Sequence, residues 1–569
     1  MEKELRSVET LRKLPIGMEN FVEIRRNNFY YVDKTRLIEQ LVEKWSEVSL
    51  FTRPRRFGKS LNMSMLRAFF EVGAEANLFD GLYISHRREL CEQYMGKYPV
   101  ISFTLKNIEG QSFDEVKKSM KYLIGTIARQ YSFLLESEKL SVVDKEIYRA
   151  LLFTNEDGTF QMSDVALEKS LYRLTELLEK HYHKKVIVLI DEYDVPLEKA
   201  FHHGYYDEMV ILIRNLFGNV LKTNEHLKMA VLTGCLRIAK ESIFTGLNNF
   251  KVYPITMRAF DESFGFTDEE VQKMLTYYGL EEDYEIVKAW YDGYRFGDVD
   301  VYCPWDVMNY ILDLQYNPKA KPQSYWKNTS DNAIIRSFID YSGSNITRKL
   351  EVLMSGGHIF QHIDEYLTYD YLHSDEDNIW SILYLTGYLT QVKEDVGRKL
   401  DDSKMTALTI PNKEIRDIFE TTVIKWFDDS ARMWNRKALF DAVWSGNSES
   451  ITYEMNKLLR KTISYHDYRE DFYHAFLAGI FAGAGYMVDS NKEHGEGRSD
   501  VVVYDTVNAR VAVFEAKYTR TLDKLESECD IALEQIDERM YAKEYEDDYD
   551  DIMCYGISFF KKRCLVKKK

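Results

Sequence analysis

The sequence predicts a multidomain α/β protein. It should hold an N-terminal parallel sheet with helices, a mainly helical, winged-helix-like middle region, and a C-terminal second α/β domain. Three observations predict this. Between residues 48 and 234, short apolar runs alternate with helical patterns, as in strands buried on both faces of a parallel sheet. Beyond about residue 258 the alternation gives way to helical stretches and aromatic-rich turns. Near the end, two apolar runs flank a polar turn at Asp505–Asn508 and read as a hairpin. The expected domains are therefore 1–258, 259–425 and 426–569.

A chain of 569 residues, 45% hydrophobic, can build several cores. No apolar run approaches a membrane span, and Met1-Glu2-Lys3-Glu4 opens no signal peptide. Six scattered cysteines without a Cys-x-x-Cys pair point to a reducing compartment and away from structural zinc, so a cytoplasmic location is expected. A net charge of −17 argues against indiscriminate nucleic-acid coating but permits a local basic groove.

In chain order, Tyr30–Thr35 reads as a short strand leading into a helix at Arg36–Lys44, with Asp33 or Thr35 as its cap. Val48–Phe51 reads as a buried strand. The loop Arg53-Pro54-Arg55-Arg56-Phe57-Gly58-Lys59-Ser60 follows, and a helix through Leu61–Phe70 comes next. Strand, tight loop, Gly-Lys-Ser and helix form the setting of a phosphate-binding loop of the P-loop NTPase kind. Arg56, Phe57, Gly58, Lys59, Ser60 and Leu61 are the expected nucleotide-binding residues. Backbone N–H groups at a helix start attract anions, Lys59 adds a point charge for phosphate, and the Ser60 hydroxyl suits Mg2+. Arg53 stands where this pattern usually opens with Gly.

Val186–Ile190 is an apolar run that ends in Asp191 and Glu192. Carboxylates at the carboxyl end of a parallel strand lie where open α/β sheets bind ligands. Asp191 is expected to hold Mg2+ and Glu192 to orient or activate water. The run 227–234 reads as a further strand with Thr233 at its carboxyl end, a place for a polar γ-phosphate sensor. Arg237, one helical turn on, is expected to sense phosphate or act as an arginine finger, with a surface charge as the alternative.

In the middle region, Thr267 and Glu270 have capping-box spacing. Residues 332–390 read as mainly helical, and 388–393 with 405–410 as a hairpin. The aromatic residues Trp290, Tyr291, Tyr294, Trp305 and Trp326 are expected in the core. Near the C-terminus, Glu515 and Lys517 lie two apart on one strand and so share a face. Asp500 opens the partner strand and reaches the same face. Two carboxylates beside a Lys on an apolar strand are costly to bury without a metal or a function. Asp500 and Glu515 are expected to hold Mg2+, or Mn2+, and Lys517 to orient the attacking water or neutralise developing charge.

Four stretches together resemble the bacterial AAA-ATPase-like family. They are Thr52–Ser60, Tyr31–Thr35, Ile190-Asp191-Glu192-Tyr193-Asp194 and Arg237-Ile238-Ala239-Lys240-Glu241-Ser242-Ile243-Phe244. Its members often carry a C-terminal PD-(D/E)XK nuclease domain, and the family itself has Arg at the position of Arg53. The Asp…Glu-x-Lys spacing is similar to that nuclease core. By the same resemblance, Glu470 corresponds to a helix carboxylate of the metal site and Gln535 to a Gln on the following helix. The resemblance implies an ATPase using ATP and Mg2+, joined to a metal-dependent nuclease. Expected partners are nucleic acid, DNA before RNA, and further copies of the chain in a homo-oligomer. No membrane partner is expected. The alternative is a nucleotide-gated switch whose nuclease-like domain binds nucleic acid or a protein without cutting.

Overall fold

The computed structural model describes the chain apart from residues 1–10, 237–249, 327–348, 368–375, 393–404, 422–436, 463–469, 483–485, 495–496 and 539–542, and positions 45, 351, 355, 366, 520, 544, 547 and 562. The chain divides into two compact units. One comprises residues 1–331 and 358–416, the other 332–357 and 417–569.

The first unit is built on a five-stranded parallel sheet. Its strands are β1 (Val48–Thr52), β2 (Val100–Thr104), β3 (Val186–Asp191), β4 (Leu227–Gly234) and β5 (Phe250–Tyr253). Their order is β2-β3-β4-β1-β5. Every residue of β1 and β3 is buried, which explains why these strands read as unbroken apolar runs. β4 lies between β1 and β3 and pairs with both, Phe51 with Thr233 and Ile190 with Leu232. The loop after β1 and the carboxylates after β3 thus emerge at the same end of the sheet, two strands apart.

Tyr30–Lys34 does not form the expected strand. Lys34 instead turns inward and pairs with Glu270 at 2.7 Å, while Asp33 accepts from the Thr35 amide and hydroxyl. The helix Asp268–Tyr278 starts at the expected capping box of Thr267 and Glu270. The hairpin β7 (Tyr294–Phe296) and β8 (Val299–Tyr302) leads into the helix Pro304–Tyr316. The expected second hairpin is present as β10 (Thr390–Gln391) paired with β11 (Met405–Thr409). A further strand, β9 (Ile359–His362), pairs with β11 inside a stretch expected to be helical. Its alternating burial is the period of a half-exposed strand.

The second unit centres on a mixed sheet of order β12-β13-β14-β15-β16. The strands are β12 (Met487–His494), β13 (Gly497–Asp505), β14 (Arg510–Tyr518), β15 (Asp551–Phe560) and β16 (Arg563–Lys568). Only the central β14–β15 pair is parallel, and the helix Leu525–Glu538 crosses between them. One sheet face buries Val501, Val503, Phe514 and Ala516 together with Phe476, Leu477 and Ile480 of the helix Glu470–Ala482. The other face buries Val502, Val511 and Val513 against Ile536. Among the described residues, no helix is long and apolar enough to cross a membrane.

Candidate functional sites

The loop Arg53–Gly58 turns tightly because two residues take left-handed backbone, Arg56 at φ 73° and Gly58 at φ 83°. A Cβ at Gly58 would meet no atom within 4 Å, so the glycine serves the turn and not the space. Lys59 is the first residue of the helix Lys59–Phe70, with Gly58 as its cap. The three loop arginines have different seats. Arg53 is wholly buried and donates to the carbonyls of Thr52 at 2.9 Å, Tyr253 at 2.6 Å and Phe260 at 3.3 Å. Burial pushes its guanidinium down to about 9, still charged at neutral pH. Arg53 therefore joins the loop to β5 and the segment beyond it, a structural role for the position that usually holds Gly. The Arg56 guanidinium lies 4.1 Å over the Trp305 ring. Arg55 pairs with Glu198 at 2.7 Å. Phe57 is buried edge-on to Tyr294, ring centres 4.9 Å apart, and fixes the loop to β7.

Behind the loop a hydrogen-bond chain joins the start of the Lys59–Phe70 helix to the ends of β3 and β4. The Ser60 hydroxyl donates to Asp191 at 2.6 Å. The Thr233 hydroxyl donates to the other Asp191 oxygen and accepts from the Glu192 amide at 3.4 Å. Lys59 is buried, 3.2 Å from the Arg53 carbonyl and 3.0 Å from that of Pro54. Burial opposes its charge, yet Cys235, Glu192, Asp194 and Asp191 outweigh it and raise its pKa. Glu192 is half-buried with φ 52°, a turn that carries the chain sharply away from β3. The Ser60 and Asp191 oxygens form a hard-oxygen set suited to Mg2+.

Asp194, part of the family-like stretch but given no role by sequence, holds the turn after β4. One of its oxygens accepts from the Cys235 and Leu236 amides at 2.7 and 2.9 Å. The Gly234 position admits no side chain, since a Cβ would lie 2.6 Å from the Tyr193 ring and 2.8 Å from Asp194. Burial pushes the Asp194 carboxyl up to about 6, against the opposing pull of the Leu236 amide and Lys59. A carboxyl raised in the folded state contributes most below its unfolded value near 4 and loses that contribution as pH rises through 6. The stability difference between wild type and Asp194→Asn should therefore move in the variant's favour between pH 4 and 7. Paired thermal melts across that range check this, and a difference that stays constant would refute it.

The loop and helix start from Arg55 to Asn62, with Glu192, line one cleft of about 480 Å3. Arg55, Gly58, Lys59, Ser60, Glu192 and Lys199 form its polar end. Tyr30, Val32, Met274, Trp305 and Met308 form its apolar end. Trp305, expected in the core, is half-buried and lines the cleft from the first turn of the Pro304–Tyr316 helix, where Pro304, Asp306 and Val307 are buried. Tyr291, Tyr294 and Trp326 are buried. Leu61 is half-buried on the cleft wall, and Arg237 lies outside the described residues.

In the second unit, β14 alternates between the two sheet faces. Ala516 joins one core, while Glu515 and Lys517 continue the face of Val511 and Val513. Glu515 is fully buried, and Lys517 donates to it at 3.2 Å. The neighbour of Glu515 on β15 is Gly556. A Cβ there would lie 2.7 Å from the Cys529 carbonyl, so the glycine lets the Leu525–Glu538 helix press onto the strand beside Glu515. Val501 pairs with Phe514, and Asp500 occupies the next position of β13, on the face of Val502. The side chains of Asp500 and Glu470 lie outside those described. Glu470 opens a helix that packs on the opposite face. Gln535 is half-buried toward the Val511 end of the site face, six residues along its helix from Cys529, roughly 9 Å. Among the described residues, no group of three or more His, Cys, Asp or Glu side chains forms a ready metal cage. The buried Glu515 carboxylate beside an acidic strand position nevertheless suits a hard cation.

Comparison with known proteins agrees with this geometry. A protein of Azotobacter chroococcum mcd 1, described as an uncharacterized protein in the vnfD 5'region, is 24% identical over 566 residues, 96% of either chain. No solved structure matches the chain. The family described as Predicted AAA-ATPase matches residues 15–244, which include the whole loop and both carboxylates after β3. The PD-(D/E)XK nuclease superfamily matches residues 468–569, which include Asp500, Glu515 and Lys517. The chain thus carries an AAA-ATPase-like domain at its N-terminus and a PD-(D/E)XK nuclease superfamily domain at its C-terminus.

Proposed function

We propose that the protein binds and hydrolyses ATP in the cleft over Gly58–Leu61 and uses it to control cleavage of nucleic acid, DNA before RNA, at the Glu515–Lys517 face. The observation that supports this best is the Ser60–Asp191 hydrogen bond at the cleft that Lys59, Ser60 and the half-buried Glu192 line. The loop amides and Lys59 take the phosphates, and the apolar end of the cleft takes the base. Thr233 holds Asp191 in place, and Glu192 orients water. Mg2+ at Ser60 and Asp191 would neutralise phosphate charge.

At the second site, Lys517 positions water or neutralises charge developing on the phosphate, and the pairing of Val501 with Phe514 supports a place for Asp500 near Glu515. A divalent ion held by Asp500 and Glu515, with Glu470 adding to the set, would supply Lewis acidity. Gln535 would order the same face. The test is to incubate purified protein with labelled single- and double-stranded DNA and RNA, with Mg2+ or Mn2+, with and without ATP. Metal-dependent cutting that responds to ATP is expected. Nucleic-acid binding without cutting in any nucleotide state would replace this reading with a nucleotide-gated binder.

A further inference from the structure

Six cations line the cleft: Lys34, Arg55, Arg56, Lys59, Lys106 and Lys199. Lys34 is paired with Glu270. Lys59 serves the loop carbonyls, and Arg56 is stacked on Trp305. Lys106 and Lys199 come from other segments and pair with Glu19 at 3.0 Å and Glu109 at 3.7 Å. Arg55 differs in being part of the loop itself. Its side chain is 36% exposed and reaches over to Glu198, which is 16% exposed. Glu198 lies on the helix Val195–His203, immediately after the Glu192 turn. The ion pair therefore spans from the phosphate loop to the helix that follows the turn carrying the water-orienting carboxylate. Arg55 and Lys59 both line the cleft, together with Gly58 and Ser60.

We propose that Arg55 is the chain's own γ-phosphate arginine, held ready by Glu198 and transferred to the phosphate when ATP is bound. The inference rests on the ATPase reading above. In the reaction, water adds to the γ-phosphorus as the bond to the β–γ bridging oxygen breaks. The electron pair leaves with ADP, and Glu192 accepts the water proton. Arg55 meets the charge that builds on the γ-phosphoryl oxygens. A planar fork matches that group better than an ammonium does.

The test compares wild type, Arg55→Ala, Arg55→Lys, Glu198→Ala and the double variant Arg55→Ala with Glu198→Ala. Turnover of ATP by Arg55→Ala should fall by about 10²-fold or more, while the Kd for ATP changes only a few-fold. Arg55→Lys should recover part of the loss. Calorimetry adds a readout independent of turnover. Wild type should bind ADP with aluminium fluoride and Mg2+ more tightly than ADP alone, and Arg55→Ala should lose that gain. Glu198→Ala should lose at least about tenfold less turnover than Arg55→Ala. Equal losses in the two single variants, with none added in the double variant, would make the pair a structural bridge and overturn the proposal. Unchanged turnover in Arg55→Ala, with wild type active, overturns the proposal alone. A wild type that binds no ATP overturns the ATPase reading and this inference with it.

Discussion

Metal-dependent cleavage should fall by about 10² to 10³-fold in Lys517→Ala and disappear in Asp500→Ala and Glu515→Ala. Lys517 reaches the Glu515 carboxylate at 3.2 Å from a side chain that is only 20% exposed. A cation placed there meets charge developing on a phosphate without first reorganising solvent. The two acids have a different task. They would hold the ion, and without it water near neutral pH is a poor nucleophile. Glu515 is fully buried, so its loss, or the loss of its Lys partner, also costs stability. ATP turnover by the same preparations controls for this, because the nucleotide cleft belongs to the other unit. Turnover should survive all three changes. Equal cutting of labelled DNA by wild type, Asp500→Ala and Lys517→Ala would place the activity elsewhere.

The strands of the first sheet were legible because they are buried on both faces. β1, β3 and most of β4 are buried at every position and mostly apolar, and such a run is hard to mistake when turn residues bound it. β5 was not legible. It lies at the sheet edge with partly exposed residues and includes Lys251, so no apolar run marks it. The strand order was not legible either, since nothing local to β1 records that β4 and β5 flank it. The Thr267–Glu270 cap was legible because both hydrogen bonds form within four residues. Arg53 was harder. An arginine reads as exposed, and its burial depends on carbonyls of Tyr253 and Phe260, some two hundred residues away. Trp305 misled for the opposite reason, since an aromatic residue beside other aromatics reads as core whether it faces a core or a cleft. Asp194 lacked any signal apart from its place after Asp191 and Glu192, because its partners are backbone amides beyond β4. The Glu515–Lys517 pair was legible as a shared face, since strand alternation is local. The full burial of Glu515 was not, because it follows from the helix approach that Gly556 permits.

Lys59→Ala should weaken ATP binding by about 10²-fold, whereas Glu192→Gln should keep binding and slow hydrolysis by about 10² to 10⁴-fold. The two residues face the same cleft but act on different parts of the reaction. The Lys59 ammonium is buried and held by two loop carbonyls, so its position is set before nucleotide arrives. Its raised pKa keeps it charged at neutral pH. Removing it takes away a charge-assisted contact to phosphate in both the ground state and the transition state, and affinity falls. Glu192 sits beyond the Ser60–Asp191–Thr233 chain, and only its amide takes part in that chain. Its carboxylate is therefore available to the attacking water. A glutamine of the same shape leaves the loop and the cleft intact but cannot accept the proton, so the loss should appear in kcat and not in Kd. Calorimetric titration with ATP and steady-state turnover separate the two effects. Equal ATP affinity in wild type and Lys59→Ala would refute the loop assignment. Unchanged kcat in Glu192→Gln would move the water-orienting role to another residue of the cleft.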